Sequence, residues 1–400
     1  MNIASIGFSY LRARSLSTGL NIVLLALAVA AITLLLLTAE QMEERMHIDA
    51  RGIDLVVGAK GSALQIILSS VYQLDVPTGT IAWSQAQQIA RKPEVKKAIP
   101  IAVADNYHGF RVVGTSPDYL AHYQAQFRDG ALWRSPFEAV VGSEAAVRTR
   151  LRVGSTFAAA HGTGHQNDPV HGPLYRVAGV LSPTGTVLDH LILVDVTSVW
   201  TIHGDGHESD ALVAEPRLEE GREINALLIQ YASPLTGATL PGEVNASSHM
   251  QAASPTFETA RLFSVMVLGM RVLQSFSIVL ILAAGLSVFI ALYSALNERR
   301  NDLAIMRALG ASPLQLMILL LFEGALLAAA GAALGLLLGH VLTAMLGYAL
   351  KFQQVGVTGW TWSESEGWVV AGALVVGMLA ALLPAWRAHE TDIAATLARG

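Results

Sequence analysis

Six histidines crowd one stretch of the chain: His161, His165, His171, His190, His203 and His207. Two intervals, His161-Gly-Thr-Gly-His165 and His203-Gly-Asp-Gly-His207, repeat an H-G-x-G-H pattern. Neutral imidazole is the commonest ligand for zinc, copper and nickel, and Asp168, Asp205 or Glu208 could complete a coordination shell. Glycine-rich loops suit an exposed, low-affinity site, so His161, His165, His171, His203 and His207 are candidate zinc ligands. The plainer reading is a pair of polar hairpin loops rich in histidine. A second feature is Glu323, a carboxylate well inside an apolar run. An ionisable group at membrane depth is costly and needs a partner; Arg299, Arg300 and Arg307 are the candidates. A structural polar contact accounts for Glu323 more simply than proton coupling does.

Other chemistries are excluded. The chain has no cysteine, hence no disulfide framework, thiolate zinc site or cysteine nucleophile. Gly58-Ala-Lys-Gly-Ser62 has the flavour of a phosphate loop, but Gly61 follows Lys60 and the G-x-x-x-x-G-K-[ST] order is missing. That order occurs nowhere else, so ATP and its magnesium would have to be bound by another polypeptide. No Ser/His/Asp or paired-carboxylate spacing stands out. A net charge of −5 without clustered Lys and Arg gives no nucleic-acid footprint.

The elements that carry these residues are of two kinds. Hydrophobic residues make up 52% of the 400, charged residues only 14%, and the mean hydropathy is +0.46, a balance typical of membrane proteins. Residues 1–19 hold Arg12 and Arg14, no acidic residue and interleaved apolar positions, which fits an amphipathic cytoplasmic segment lying on the inner leaflet. Residues 20–39 are uncharged, about 30 Å long as a helix, and form the first membrane span. A basic flank before an apolar run also describes a signal peptide; the length of the run and the lack of a small-x-small site favour a retained helix. Residues 40–260 have ordinary soluble composition. Glu40–Asp49 extends the first helix as a stalk, and short β-type segments then alternate with helical ones, among them Val95–Ala104, Phe110–Val113, Tyr175–Leu181 and Leu191–Val196, with a turn at Gly114–Asp118. This pattern predicts a mixed α/β extracytoplasmic domain of about 200 residues with its own core.

Residues 261–400 return to the membrane, with spans at about 272–296, 314–350 and 367–386. Between the second and third lies a compact charged helix, about 297–310, carrying Glu298, Arg299, Arg300, Asp302 and Arg307, with Gly310 at its end and Pro313 beyond. It has the form of a handle gripped from the cytoplasm. The third run exceeds one perpendicular crossing and should tilt or bend near its glycines. Gly324, Gly331, Gly335 and Gly339 place small residues on roughly one helix face, which fits close packing within the chain or a seam between two copies. Trp360, Trp362 and Trp368 suit the outer interface. With Arg12, Arg14, Arg299, Arg300, Arg307 and Arg387 inside, four spans with both termini cytoplasmic is self-consistent.

This layout resembles the FtsX-like permeases, the membrane subunits of MacB-type ABC systems. Asn297-Glu-Arg-Arg-Asn-Asp-Leu-Ala-Ile-Met-Arg-Ala-Leu-Gly-Ala311 is similar to the family's cytoplasmic signature, with Asp302 where Glu is usual. Glu323 with glycines four apart resembles the family's third span, and Leu383-Pro-Ala-Trp-Arg-Ala388 its C-terminal ending. Phe110-Arg-Val-Val-Gly-Thr-Ser-Pro-Asp-Tyr119 and Val140-Val-Gly-Ser143 look like the MacB-like periplasmic core. The resemblance implies a permease of a bacterial inner membrane, not itself an enzyme. The charged helix would be the coupling helix docking on a separate ABC ATPase, and a second permease copy would complete the assembly. A periplasmic adaptor or substrate protein would meet the outer domain, and motion rather than a pore would be transmitted. Two rivals follow: an FtsX-type regulatory transducer controlling a cell-wall hydrolase or sensor, and a zinc-linked permease using the histidine-rich loops.

Overall fold

The computed structural model describes residues 8–10, 12–160, 173–203, 221–246, 249–350 and 357–389. The chain divides into two units. One comprises residues 1–42, 266–351 and 355–400; the other comprises residues 43–265 with 352–354.

The second unit is mixed α/β. Its elements begin with the end of helix α1 (Ser15–Ala50), followed by β1 (Leu55–Ala59), α2 (Ala63–Ser70), β2 (Ile81–Ala82), α3 (Trp83–Ala90), β3 (Val95–Tyr107) and β4 (Phe110–Thr115). Next come α4 (Pro117–His122), β5 (Phe127–Gly130), β6 (Glu138–Val141), α5 (Ser143–Thr149), β7 (Thr156–Phe157), β8 (Tyr175–Leu181), β9 (Leu191–Asp195) and α6 (Val196–His203). The unit closes with β10 (Glu223–Ile224), β11 (Ala226–Tyr231), α7 (Thr236–Ala246), β12 (Met250–Ala253) and the start of α8 (Pro255–Glu298). Ten strands form one sheet in the order β12-β1-β11-β3-β4-β9-β6-β8-β5, with β7 on β8. Pairing is antiparallel except for β4–β9 and β6–β8.

Local chemistry explains the main junctions. His108 and Gly109 both have positive φ, and Tyr107 pairs with Phe110, so a two-residue turn of the kind Xaa-Gly favours joins β3 to β4. Asn106 supports it by accepting the Gly109 N–H at 2.7 Å. Residues 114–118 do not form the expected turn. Gly114 and Thr115 complete β4, and Pro117 starts α4 after an extended Ser116; a proline at the first helical position has no N–H to lose. The glycine of Val140-Val-Gly-Ser143 is required by crowding, since a Cβ on Gly142 would lie 2.1 Å from the Leu188 carbonyl oxygen. Strand residues such as Leu55, Val57, Val112, Val141, Val177 and Ile192 meet in one buried cluster.

The first unit is helical. It holds most of α1, most of α8, α9 (Arg300–Ala308), α10 (Pro313–Leu350) and α11 (Ser365–His389). Helices α1, α8, α10 and α11 are each long and apolar enough to cross a membrane. The third apolar run is a single helix of 38 residues.

Candidate coupling site

Helix α9 is the short charged element between two helices long enough to cross a membrane, and its ends are built differently. Its C-terminus is a Schellman motif: Gly310, at φ +99°, sends its N–H to the Arg307 carbonyl at 3.0 Å, while the Ala311 N–H reaches the Met306 carbonyl at 3.0 Å. One residue later a capping box opens α10. The Gln315 N–H donates to Ser312 Oγ at 3.3 Å, and the Ser312 N–H donates to Gln315 Oε1 at 2.9 Å. Pro313 fills the first helical position. The corner between α9 and α10 therefore has its backbone groups satisfied from both sides.

The inner face of α9 is fastened by apolar contact and by charge. Leu303 is buried with Leu296, Leu316, Leu320 and Ala385, and Met306 packs beside them. Arg299, the residue between α8 and α9, turns the same way. Its Nη1 donates to both oxygens of Glu323, at 3.2 and 3.4 Å, and its guanidinium lies 3.8 Å from the centre of the Tyr10 ring. The Glu323 side chain is 1% exposed and that of Arg299 11%. A carboxylate at this depth is tolerated because both its oxygens accept from one nitrogen of a planar cation, itself stacked on an aromatic ring.

These contacts redistribute the residues expected on the docking face. Arg299 belongs to the internal fastening and does not present its charge outward. Glu298 is paired with Arg14. Arg300 and Asp302 lie in α9, and Arg307 is in its last turn. Ile305 and Leu309, one helical turn apart, are 50% and 83% exposed. Ile305 and Leu309 thus give an exposed apolar pair at the end of a helix whose mean composition is polar.

The four glycines meet two different helices. A Cβ at Gly331, Gly335 or Gly339 would sit 2.8, 2.6 or 2.6 Å from Leu25, Val29 or Thr33, so these three receive α1. Gly324 faces α11, where an added Cβ would lie 2.5 Å from Ala381 and 3.0 Å from the Gly377 carbonyl oxygen. A 100° step per residue keeps position 324 within about 60° of positions 331, 335 and 339, so one side of α10 meets α11 at Gly324 and α1 further along. The face expected to serve either within the chain or between copies is occupied within the chain.

At the other end of α10, His340 Nδ1 lies 2.8 Å from the Gly359 carbonyl oxygen, Nε2 lies 3.2 Å from Glu366 Oε2, and the Trp362 ring packs against the imidazole. Gln41 exchanges two hydrogen bonds of 2.8 Å with the backbone of Thr358. Ser365 donates to Glu40 at 2.8 Å. This polar girdle ties the segment before α11 to α1 at Glu40 and Gln41 and to α10 at His340. Sequence reasoning missed it, and also missed Ser287 donating to Asn21 at 2.7 Å between α8 and α1. The available signals were an Asn inside an apolar run and a Ser-x-x-Glu, Ser363 to Glu366, ahead of one.

Of the zinc candidates, His161, His165, His171 and His207 lie outside the described residues, and α6 ends at His203. Among the described residues no three His, Asp or Glu converge as a metal site. The Gly58–Ser62 stretch is a strand-to-helix corner: Ser62 caps α2 by accepting the Gln65 N–H, and the Gly61 N–H goes to Gln251 Oε1 at 3.0 Å.

Two family profiles match the chain. The MacB-like periplasmic core domain matches residues 18–247, and the FtsX-like permease C-terminal domain matches residues 275–393. The chain belongs to the FtsX-like, MacB-type family of ABC transporter permeases. Among relatives of this family, it is 23% identical over 402 residues to the pyoverdine export ATP-binding/permease protein PvdT of Pseudomonas aeruginosa, an alignment covering 95% of this chain and 56% of that protein. It is 29% identical over 128 residues, 32% of this chain and 19% of the other, to the macrolide export ATP-binding/permease protein MacB of Nitrobacter winogradskyi. The permease chain thus spans about half the length of PvdT. Similar solved structures are the periplasmic region of MacB from Actinobacillus actinomycetemcomitans (10% identity, 54% of this chain and 95% of that one, TM-score 0.35) and the extracellular domain of YknZ from Gram-positive bacteria (12%, 50% and 99%, TM-score 0.32).

Proposed function

We propose that this FtsX-like permease is the membrane subunit of an export or mechanotransmission system driven by a separate ABC ATPase. Two permease copies pair with two ATPase subunits, both termini lie in the cytoplasm, and the α/β unit acts outside the inner membrane on a periplasmic substrate or adaptor. ATP and magnesium reside on the ATPase. The observation that carries this reading is the construction of α9: fastened on one face by Leu303, Met306 and the Arg299–Glu323 pair, it leaves Ile305 and Leu309 outward. An exposed apolar pair at the end of a short polar helix fits a partner's groove.

The test is Ile305→Asp with Leu309→Asp. Both side chains are exposed, so insertion and folding are retained while co-purification of the ATPase falls by at least about tenfold, as expected when hot-spot contacts are lost. If the variant recovers the ATPase as well as wild type does, the docking face is elsewhere. If wild type recovers no ATPase and instead brings down a cell-wall hydrolase or sensor kinase, the regulatory reading replaces export.

A further inference from the structure

Helices α1 and α10 touch closely only along part of their length. Gly331, Gly335 and Gly339 bring them together at Leu25, Val29 and Thr33. Towards Arg12 and Leu326 this stretch of small-residue contacts ends, and a groove of about 670 Å³ opens between the start of α1 with the residues before it and the side of α10. Phe8, Ile22, Leu326, Leu327 and Ala330 supply its apolar lining, and Arg12 stands among them.

Two observations identify what fills it. The first is charge. Of the arginines around this end of the helices, Arg14 is engaged by Glu298 and Arg299 by Glu323. Among the described residues Arg12 faces no carboxylate. The second is position. Arg12 lies eight residues before Leu20, the start of the expected first span, about 12 Å along a helix. This is the depth of the headgroups when the run crosses the hydrocarbon layer. An apolar groove open to that layer does not hold water well, since water needs several polar partners. Left empty, it forfeits dispersion contacts along its walls. An acyl chain meets both demands, and a phosphate at the mouth meets the guanidinium in a charge-assisted hydrogen bond.

We infer that this groove is a binding site for one anionic glycerophospholipid, its chain lying against Leu326, Leu327 and Ala330 and its phosphate held by Arg12. The inference rests on α1 and α10 standing in the membrane and not on any ATPase, so a failed docking test leaves it intact.

The experiment uses the full chain, delipidated in mild detergent and offered phosphatidylglycerol or phosphatidylcholine of matched chains, with retained lipid counted by native mass spectrometry. One phosphatidylglycerol per chain should be retained about fivefold over phosphatidylcholine, the factor expected of one basic residue at a membrane surface. Arg12→Gln should remove the preference and Arg12→Lys keep most of it. Ala330→Phe, which fills the groove, should lower retention of both lipids. Four outcomes overturn the inference: equal retention of the two lipids, a preference that survives Arg12→Gln, displacement of phosphatidylglycerol by glycerol 3-phosphate alone, or an Ala330→Phe protein that keeps its lipid but loses its dimer. The last would show that a second copy covers the groove.

Discussion

Glu323 and Arg299 show how a single ion pair can be required without being a source of stability. Bringing two charges to this depth costs about as much as their attraction returns, whereas removing one leaves the other stranded. Glu323→Ala should therefore cost about 3 kcal/mol, read as a lower thermal midpoint in detergent. The exchange Arg299→Glu with Glu323→Arg should recover much of the loss; a double variant as unstable as the sum of the singles would show that the two side chains do not act as a pair. Outside the membrane, His122 and His190 make a second residue-scale case. Burial holds both imidazoles below their ordinary value of 6.5. Folding then favours the neutral form, so their contribution is complete above that value and is lost as pH falls through it towards the lowered value. Other groups titrate in the same range, so the informative quantity is a difference: between neutral and about pH 5, His190→Gln should lose less stability than wild type. Parallel curves would dismiss the effect. The need of Glu323 for a cation was legible from its setting in an apolar run. The choice of Arg299 was not, because the deciding contact is Tyr10, 289 residues away in sequence.

At the scale of elements, the apolar runs fall in helices long and apolar enough to cross a membrane and most strand-like stretches fall in strands, because run length and period-two alternation are local properties. The sharing of glycines between α1 and α11 was not legible, since it depends on which helix meets α10 at each height. It makes a prediction. Gly335→Ile would drive a side chain into Val29, where even a Cβ lies 2.6 Å away, and should destabilise the helical unit by about 1–3 kcal/mol through overpacking. Because the face is filled within the chain, thermal stability should fall first. A variant with an unchanged midpoint and a weakened dimer would place this face between copies instead. The strands β11 and β12 also went unread: Ala226–Tyr231 and Met250–Ala253 join the sheet beside β1, but their pairings are made across most of the unit's length and leave little mark on local composition.

For the molecule as a whole, composition was enough to separate a membrane unit from an α/β unit, and motifs were enough to place the chain among FtsX-like permeases. Substrate is not written in either. The histidine-rich loops are where sequence reasoning sought it, and the described residues neither assemble nor replace that site. What the fold adds is a division of stiffness. The corner from Ala308 to Gln315 is closed by a Schellman motif on one side and a capping box on the other, so α9 and α10 turn as one elbow. The opposite junction is a single residue, Arg299, set at φ −97° and ψ 10° with helical bonds running to either side. Compliance between α8 and this elbow is therefore concentrated at the residue whose side chain Glu323 holds. In mechanical terms the carboxylate is a lock on a hinge pin. On the proposed mechanotransmission reading, a displacement applied to α9 would be passed to α10 while the lock is closed and taken up at residue 299 when it is open.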